Sequence, residues 1–194
     1  MLLSLARIIS LITNPFFIAI PLPFLLVYHE SGNAAYAFRW AIFSFIFLVM
    51  IGVFVVFEVR RHVFSDLDVS KREQRPLFFV YVAFVSLLYL VSLYLLRGPE
   101  VLSIAVGGIL GSAVVLGLVT HYIKASLHVA TISAFFTVLA LLYGGFYFFW
   151  LLMIPIVAWS RIKIKRHTVS EAIVGCIMGI MLTLIVYFSV MYWR

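Results

Sequence analysis

Charge is what this chain has least of: 11% of its 194 residues are charged and 65% are hydrophobic, where a soluble domain uses about 25% and 45 to 50%. So few charges cannot hold a folded surface in water, which excludes a soluble globular protein, and so much apolar side chain excludes disorder. What remains is an all-α, polytopic membrane helix bundle. At about 20 residues per span the length allows six or seven spans and little else, so one membrane domain over residues 1–194 with no folded soluble appendage is expected. Cysteine is nearly absent too. Cys176 stands alone in an apolar stretch, so it has no disulfide partner in the chain and reads as packing. Acidic residues number 7 against 14 basic ones, a net charge of +7. The basic residues lie in loops between spans, not over a soluble face, so anionic lipid headgroups and phosphates are the expected partners and nucleic acid is not.

Apolar runs fall at about 5–28, 35–59, 76–96, 100–120, 128–143, 145–159 and 170–192. Residues 1–17 carry one arginine ahead of an apolar run, but no small-x-small cleavage pattern follows, so this segment reads as the first span. Asn14-Pro15, Pro21 and Pro23 interrupt it, which makes it a kinked or partly interfacial span. From Val129 to Trp159 there is no charge and too much length for one span, and Gly144-Gly145 near the middle supplies the turn of a helical hairpin. No internal repeat, low-complexity tract or domain boundary is evident.

Thirteen of the 21 charged residues sit in two stretches, Arg60 to Arg75 and Arg161 to Glu171. Four spans separate these loops, which returns the chain to the same face, and the short loop from His121 to His128 lies two spans from each. Three polar loops therefore converge on one end. In the last of them, His167 and Glu171 are four apart, so a helix would set imidazole and carboxylate on one face and leave one ring nitrogen as a nucleophile. Arg161 joins them only if the chain bends in between. The middle loop puts Ser126 at a helix start, where free N–H groups favour a phosphate, and His128 beside it to donate a proton to a leaving oxygen. The first loop offers Lys71 and Arg75, also four apart and on one face if helical, just before Pro76, as a clamp for a dianion. Each loop taken singly has a plainer reading: a basic interfacial loop with His167 capping a helix, a simple serine cap, a solvated charge cluster. Asp66 and Asp68 are two candidate Mg²⁺ ligands without a third oxygen donor nearby.

Taken together, Arg75-Pro76, then Ser126-x-His128, then Ser160-Arg161 followed after five residues by His167 and after three more by Glu171, resembles the three-part signature of the type 2 phosphatidic acid phosphatase (PAP2) superfamily of membrane lipid phosphatases. The resemblance spans about residues 68–179. It departs from the family pattern in three places: Asp68 stands where a lysine usually precedes the arginine by seven, so Lys71 or Arg72 substitutes; Ala125-Ser126-Leu127-His128 replaces Pro-Ser-Gly-His; and Glu171 replaces aspartate. None of these removes the presumed nucleophile or acid. The resemblance implies that Lys71, Arg75, Ser126 and Arg161 hold the phosphate, that His167 attacks phosphorus with Glu171 orienting its ring, and that His128 protonates the leaving group. It implies no metal and no cofactor, and a lipid phosphate or diphosphate substrate: an isoprenyl phosphate, phosphatidic acid or phosphatidylglycerophosphate in a bacterial or archaeal cell membrane. The alternatives are a lipid phosphotransferase of the same family, a non-catalytic module that binds anionic lipids, and a Mg²⁺-dependent prenyl transferase built on Asp66 and Asp68.

Sidedness follows from the cations. The motif face carries Arg7, Arg60, Arg61, Lys71, Arg72, Arg75, Lys124, Arg161, Lys163, Lys165 and Arg166, and the opposite face Arg39, Arg97 and Arg194. Setting aside Lys71, Arg75 and Arg161 as phosphate ligands leaves eight against three, so the positive-inside rule puts the motif loops in the cytoplasm. Bacterial relatives commonly face this site outward, and the two expectations conflict.

Overall fold

Hydrocarbon offers no water to backbone polar groups, so a chain this apolar must close its hydrogen bonds within each segment, and helices do so. The computed structural model describes residues 2–193, so Arg194, counted above among the opposite-face cations, lies outside it. Among the described residues all regular structure is helical: α1 (Leu2–Ile12), α2 (Pro15–Ala19), α3 (Leu22–Ser31), α4 (Ala34–Arg60), α5 (Arg75–Leu96), α6 (Glu100–Thr120), α7 (Leu127–Tyr143), α8 (Met153–Lys163) and α9 (Val169–Trp193), with 3-10 segments at Arg72–Gln74 and Gly145–Leu152. Among the described residues six stretches are long and apolar enough to cross a membrane: Leu2–Ala19, Ala34–Arg60, Arg72–Leu96, Glu100–Thr120, Gly145–Lys163 and Val169–Tyr192. The protein is thus an integral membrane protein, within the six or seven spans expected. At 17 residues, α7 is about 26 Å long, just short of a hydrocarbon core of about 30 Å.

The chain forms two compact units, Met1–Ala19 with Ile123–Arg194, and Ile20–Tyr122. The first span is kinked at Asn14-Pro15, as expected, but it covers Leu2–Ala19 and not residues 5–28. The first apolar segment breaks into α1, α2 and α3, and its halves serve different units: α1 packs on α8 and α2 on α7, whereas α3 packs on α4 and α6. The cause is local, because Asn14 Oδ1 accepts the Phe16 N–H at 3.0 Å and starts a new helix at Pro15, and Pro21 cannot continue it.

In the unit of residues 20–122, α5 packs along α6 and α3 along α4. The loop after α4 is less solvated than its charges led us to expect, since Phe64 and Val69 from that loop are buried with Val55. Asp66 closes the loop on itself, its Oδ1 accepting from the Asp68 N–H at 3.0 Å and the Ser70 hydroxyl at 2.9 Å.

The other unit is centred on Val129, Ile132, Ile154, Val157 and Ala172, with Cys176 half-buried against them, as its packing role requires. The expected turn lies at Gly144 and Gly145, both with left-handed φ of 65° and 41°. The following segment winds as a 3-10 helix to Leu152 before α8 begins. α9 lies directly on the backbone of α7. A Cβ at Gly175 would stand 2.6 Å from the Ser126 carbonyl oxygen, and one at Gly179 2.2 Å from that of Ala130. Nothing lies within 4 Å of the corresponding position at Gly111, inside α6. Gly179→Ala is therefore expected to destabilise the protein in detergent by about 1 to 3 kcal/mol, and Gly111→Ala to leave the thermal midpoint unchanged or higher. Equal midpoints for the two variants would show that α7 and α9 are not in backbone contact.

Candidate active site

Helix α9 begins with a capping box, Thr168-x-x-Glu171. The Thr168 Oγ1 accepts the Glu171 N–H at 3.3 Å, and Glu171 Oε2 accepts the Thr168 N–H at 3.2 Å. His167 stands just before the cap, outside the helix, and its Nδ1 lies 2.8 Å from the same Oε2. The pair that i, i+4 spacing assigned to one helical face is thus built by a helix start. A carboxylate only accepts, so Nδ1 carries the proton and Nε2 keeps its lone pair. The His167 side chain is 3% exposed.

The bend expected between Arg161 and His167 is present. α8 ends at Lys163, and the N–H groups of Arg166 and His167 turn back to the Arg161 carbonyl at 3.0 and 3.4 Å. Arg161 itself is 2% exposed. Its Nη1 donates to Ser10 Oγ at 2.5 Å and to His128 Nε2 at 3.3 Å. A guanidinium cannot accept, so His128 here is neutral at Nε2 and carries its proton on Nδ1. His128 is buried in the first turn of α7.

Ser126 is the N-cap of α7, as read from the sequence, but its side chain makes no cap bond. The hydroxyl is buried with no hydrogen-bond partner, at a helix end whose N–H groups and dipole favour an anion. Its backbone N–H donates to the Glu171 carbonyl at 3.0 Å, so α7 and α9 begin together. One unit therefore holds Ser126, His128, Arg161, His167 and Glu171. Phosphoryl transfer can use these parts: a fixed cation and hydroxyl and amide donors to stabilise charge, and imidazoles to attack and to move protons.

Lys71 and Arg75 belong to the other unit. Arg75, the first residue of α5 with Pro76 next, is 1% exposed, and its Nε donates to the Val69 carbonyl at 3.4 Å. Lys71 is exposed and extended, the N-cap of the Arg72–Gln74 turn, so the two cations do not share a helical face as their spacing implied. Arg72, the other residue weighed for the motif lysine's position, donates through Nε to the Thr120 carbonyl at 2.5 Å. Three residues at the site were not singled out in the sequence. Thr168 had a signal in its capping box; Lys124, whose Nζ lies 3.8 Å from Glu171 Oε2, and Ser10, 151 residues from Arg161, had none.

Residues 120–194 match the PAP2 superfamily. This PAP2 segment contains all five site residues of the first unit and neither Lys71 nor Arg75, so the second and third parts of the sequence signature fall inside the match and the first part outside it. The superfamily is of phosphatase type. No curated protein and no solved structure matches the chain.

His167 and its carboxylate partner rest on the cap of α9. Thr168→Ala should cost about 1 kcal/mol of stability and slow any turnover that needs His167 oriented. Unchanged stability and turnover would show that Glu171 is held without the capping box.

Proposed function

We propose that this protein is a membrane lipid phosphatase that hydrolyses a lipid phosphate or diphosphate monoester through a phosphohistidine. The observation that carries the reading is the 2.8 Å contact of His167 Nδ1 with Glu171 Oε2, which leaves Nε2 as the nucleophile; the PAP2 match to residues 120–194 supports it. In the first step Nε2 attacks phosphorus, the terminal one in a diphosphate; a P–N bond forms, and the P–O bond to the lipid alcohol or lipid monophosphate breaks. His128 delivers the proton to the departing oxygen. Its Nε2 accepts from Arg161 in the resting arrangement, so it becomes an acid once the phosphate engages Arg161 and that nitrogen takes a proton. His128 then deprotonates water, which attacks phosphorus and breaks the P–N bond. Arg161 and Ser126 bind the phosphate oxygens, and Glu171 offsets the positive charge that His167 gains.

Two variants test this with the full-length protein, a panel of lipid phosphates and EDTA present. His167→Ala should lower phosphate release about a thousandfold or more. A rate within about tenfold of wild type would remove His167 as nucleophile, and loss of wild-type activity in EDTA with recovery in Mg²⁺ would replace the metal-independent route. Glutamine also fits a capping box, so Glu171→Gln keeps the helix start and removes the charge. It should lower turnover about a hundredfold or more with the thermal midpoint retained. A protein that only binds anionic lipids would release no phosphate in any form.

The cation count favours motif loops in the cytoplasm. Ser65 lies exposed in the loop after α4, so with Cys176 changed to alanine, Ser65→Cys should resist a membrane-impermeant thiol reagent in intact cells and react after lysis. Labelling in intact cells would place the site outside.

A further inference from the structure

We propose that Ser10, on the amino-terminal helix, is a positioning residue of the phosphate site, holding the Arg161 guanidinium where the substrate's phosphate meets it. The inference rests on the reading of Arg161 as a phosphate ligand. It adds to that reading a residue 110 positions before the PAP2 match begins.

The buried face of α1 is small. Ala6 and Ser10, one turn apart, are 0% and 6% exposed, while Ser4 and Arg7 on the same helix are exposed. α1 packs along α8, the helix whose last turn carries Arg161. Packing alone calls for a small residue at position 10, as at position 6, and alanine would meet that need at both. A hydroxyl stands at position 10 instead, and Arg161 Nη1 donates to it at 2.5 Å.

Nη1 is shared between Ser10 Oγ and His128 Nε2, and these two contacts have different fates in a phosphatase cycle. His128 must take a proton at Nε2 to act as an acid, so its bond from Arg161 is given up when substrate binds. The bond to Ser10 involves no titrating group and persists. It fixes one edge of the guanidinium while the other faces turn to the phosphate, which saves the ordering that a long, flexible side chain otherwise loses on binding. Ser10 thus acts on how firmly phosphate is held, in ground state and transition state alike. That pattern appears in KM and in product inhibition, not in kcat.

The test uses the full-length enzyme and inorganic phosphate as the probe, followed both as a competitive inhibitor of lipid-phosphate hydrolysis and by its protection against thermal unfolding. Ser10→Ala should weaken phosphate inhibition and raise KM about tenfold, as expected for one hydrogen bond to a charged group, with kcat within about threefold and the phosphate-free thermal midpoint close to wild type. Ser10→Thr, which keeps the hydroxyl, should restore inhibition. Ser4→Ala, on the exposed face of α1, should change nothing. Arg161→Lys separates the two layers of the argument. If it weakens phosphate binding while Ser10→Ala leaves inhibition and protection at wild-type levels, the positioning role is overturned and the phosphatase site stands. If Arg161→Lys leaves phosphate binding intact, the phosphate-ligand reading fails and the role of Ser10 falls with it. A Ser10→Ala variant with a lowered midpoint and a defect that threonine does not rescue would mark Ser10 as packing only.

Discussion

Glu171 Oε2 is the atom on which the geometry of the first unit's candidate site depends. It receives the Thr168 N–H that starts α9 and the Nδ1–H of His167, and Lys124 lies 3.8 Å away. The backbone carbonyl of the same residue accepts the Ser126 N–H that starts α7. A carboxylate near the membrane is costly unless its lone pairs are met. Here the groups that meet them are the beginning of α9 and the ring of His167, the proposed nucleophile. Fold and site are therefore not separable at this residue. The same bonds that begin α9 select the His167 tautomer. They also explain why glutamate suits this position in place of the usual aspartate: a capping box is closed by a side chain of that length reaching back from the third helical position.

Close approach of α7 and α9 is the second requirement. Ser126 meets the Glu171 carbonyl only because Gly175, one turn further along α9, presents no Cβ to the Ser126 backbone, and Gly179 does the same for Ala130 two turns along. In lipid, where burial of apolar surface drives helix association weakly, such small-residue contacts and the hydrogen bonds they permit hold helices together. The glycines thus set the distance between the serine hydroxyl of one motif and the histidine–glutamate pair of the other.

The spans were legible in the sequence because hydropathy follows from the solvent alone, and Gly144-Gly145 announced its turn by residue type. His167 and Glu171 were legible as a pair, though for an incomplete reason, since spacing four apart suits both a helical face and a residue placed just before a capping box. What spacing could not show is contact between distant parts of the chain. Ser10 meets Arg161 across 151 residues, and Lys124 reaches Glu171 from another loop. Lys71 misled in the opposite way: its distance from Arg75 fits a helix that starts only at Arg75. The buried Phe64 and Val69 were hidden among charges, because composition averaged over a loop conceals which of its side chains turn inward.

The break in the first apolar segment has the widest consequence. Continuous hydrophobicity from residue 5 to 28 reads as one span, yet Asn14-Pro15 and Pro21 divide it, and the division falls at Ala19–Ile20, where one compact unit gives way to the other. The unit that contains the PAP2 match begins again at Ile123, close to where the match itself begins, and the chain's first nineteen residues complete it. Helix α1 lies on α8, the helix whose last turn carries a buried cation. A guanidinium in that position needs acceptors. A serine on a helix packed alongside supplies one with little disturbance to an apolar face. Proline punctuation at residues 15 and 21 is what frees α1 from the following unit to take that place.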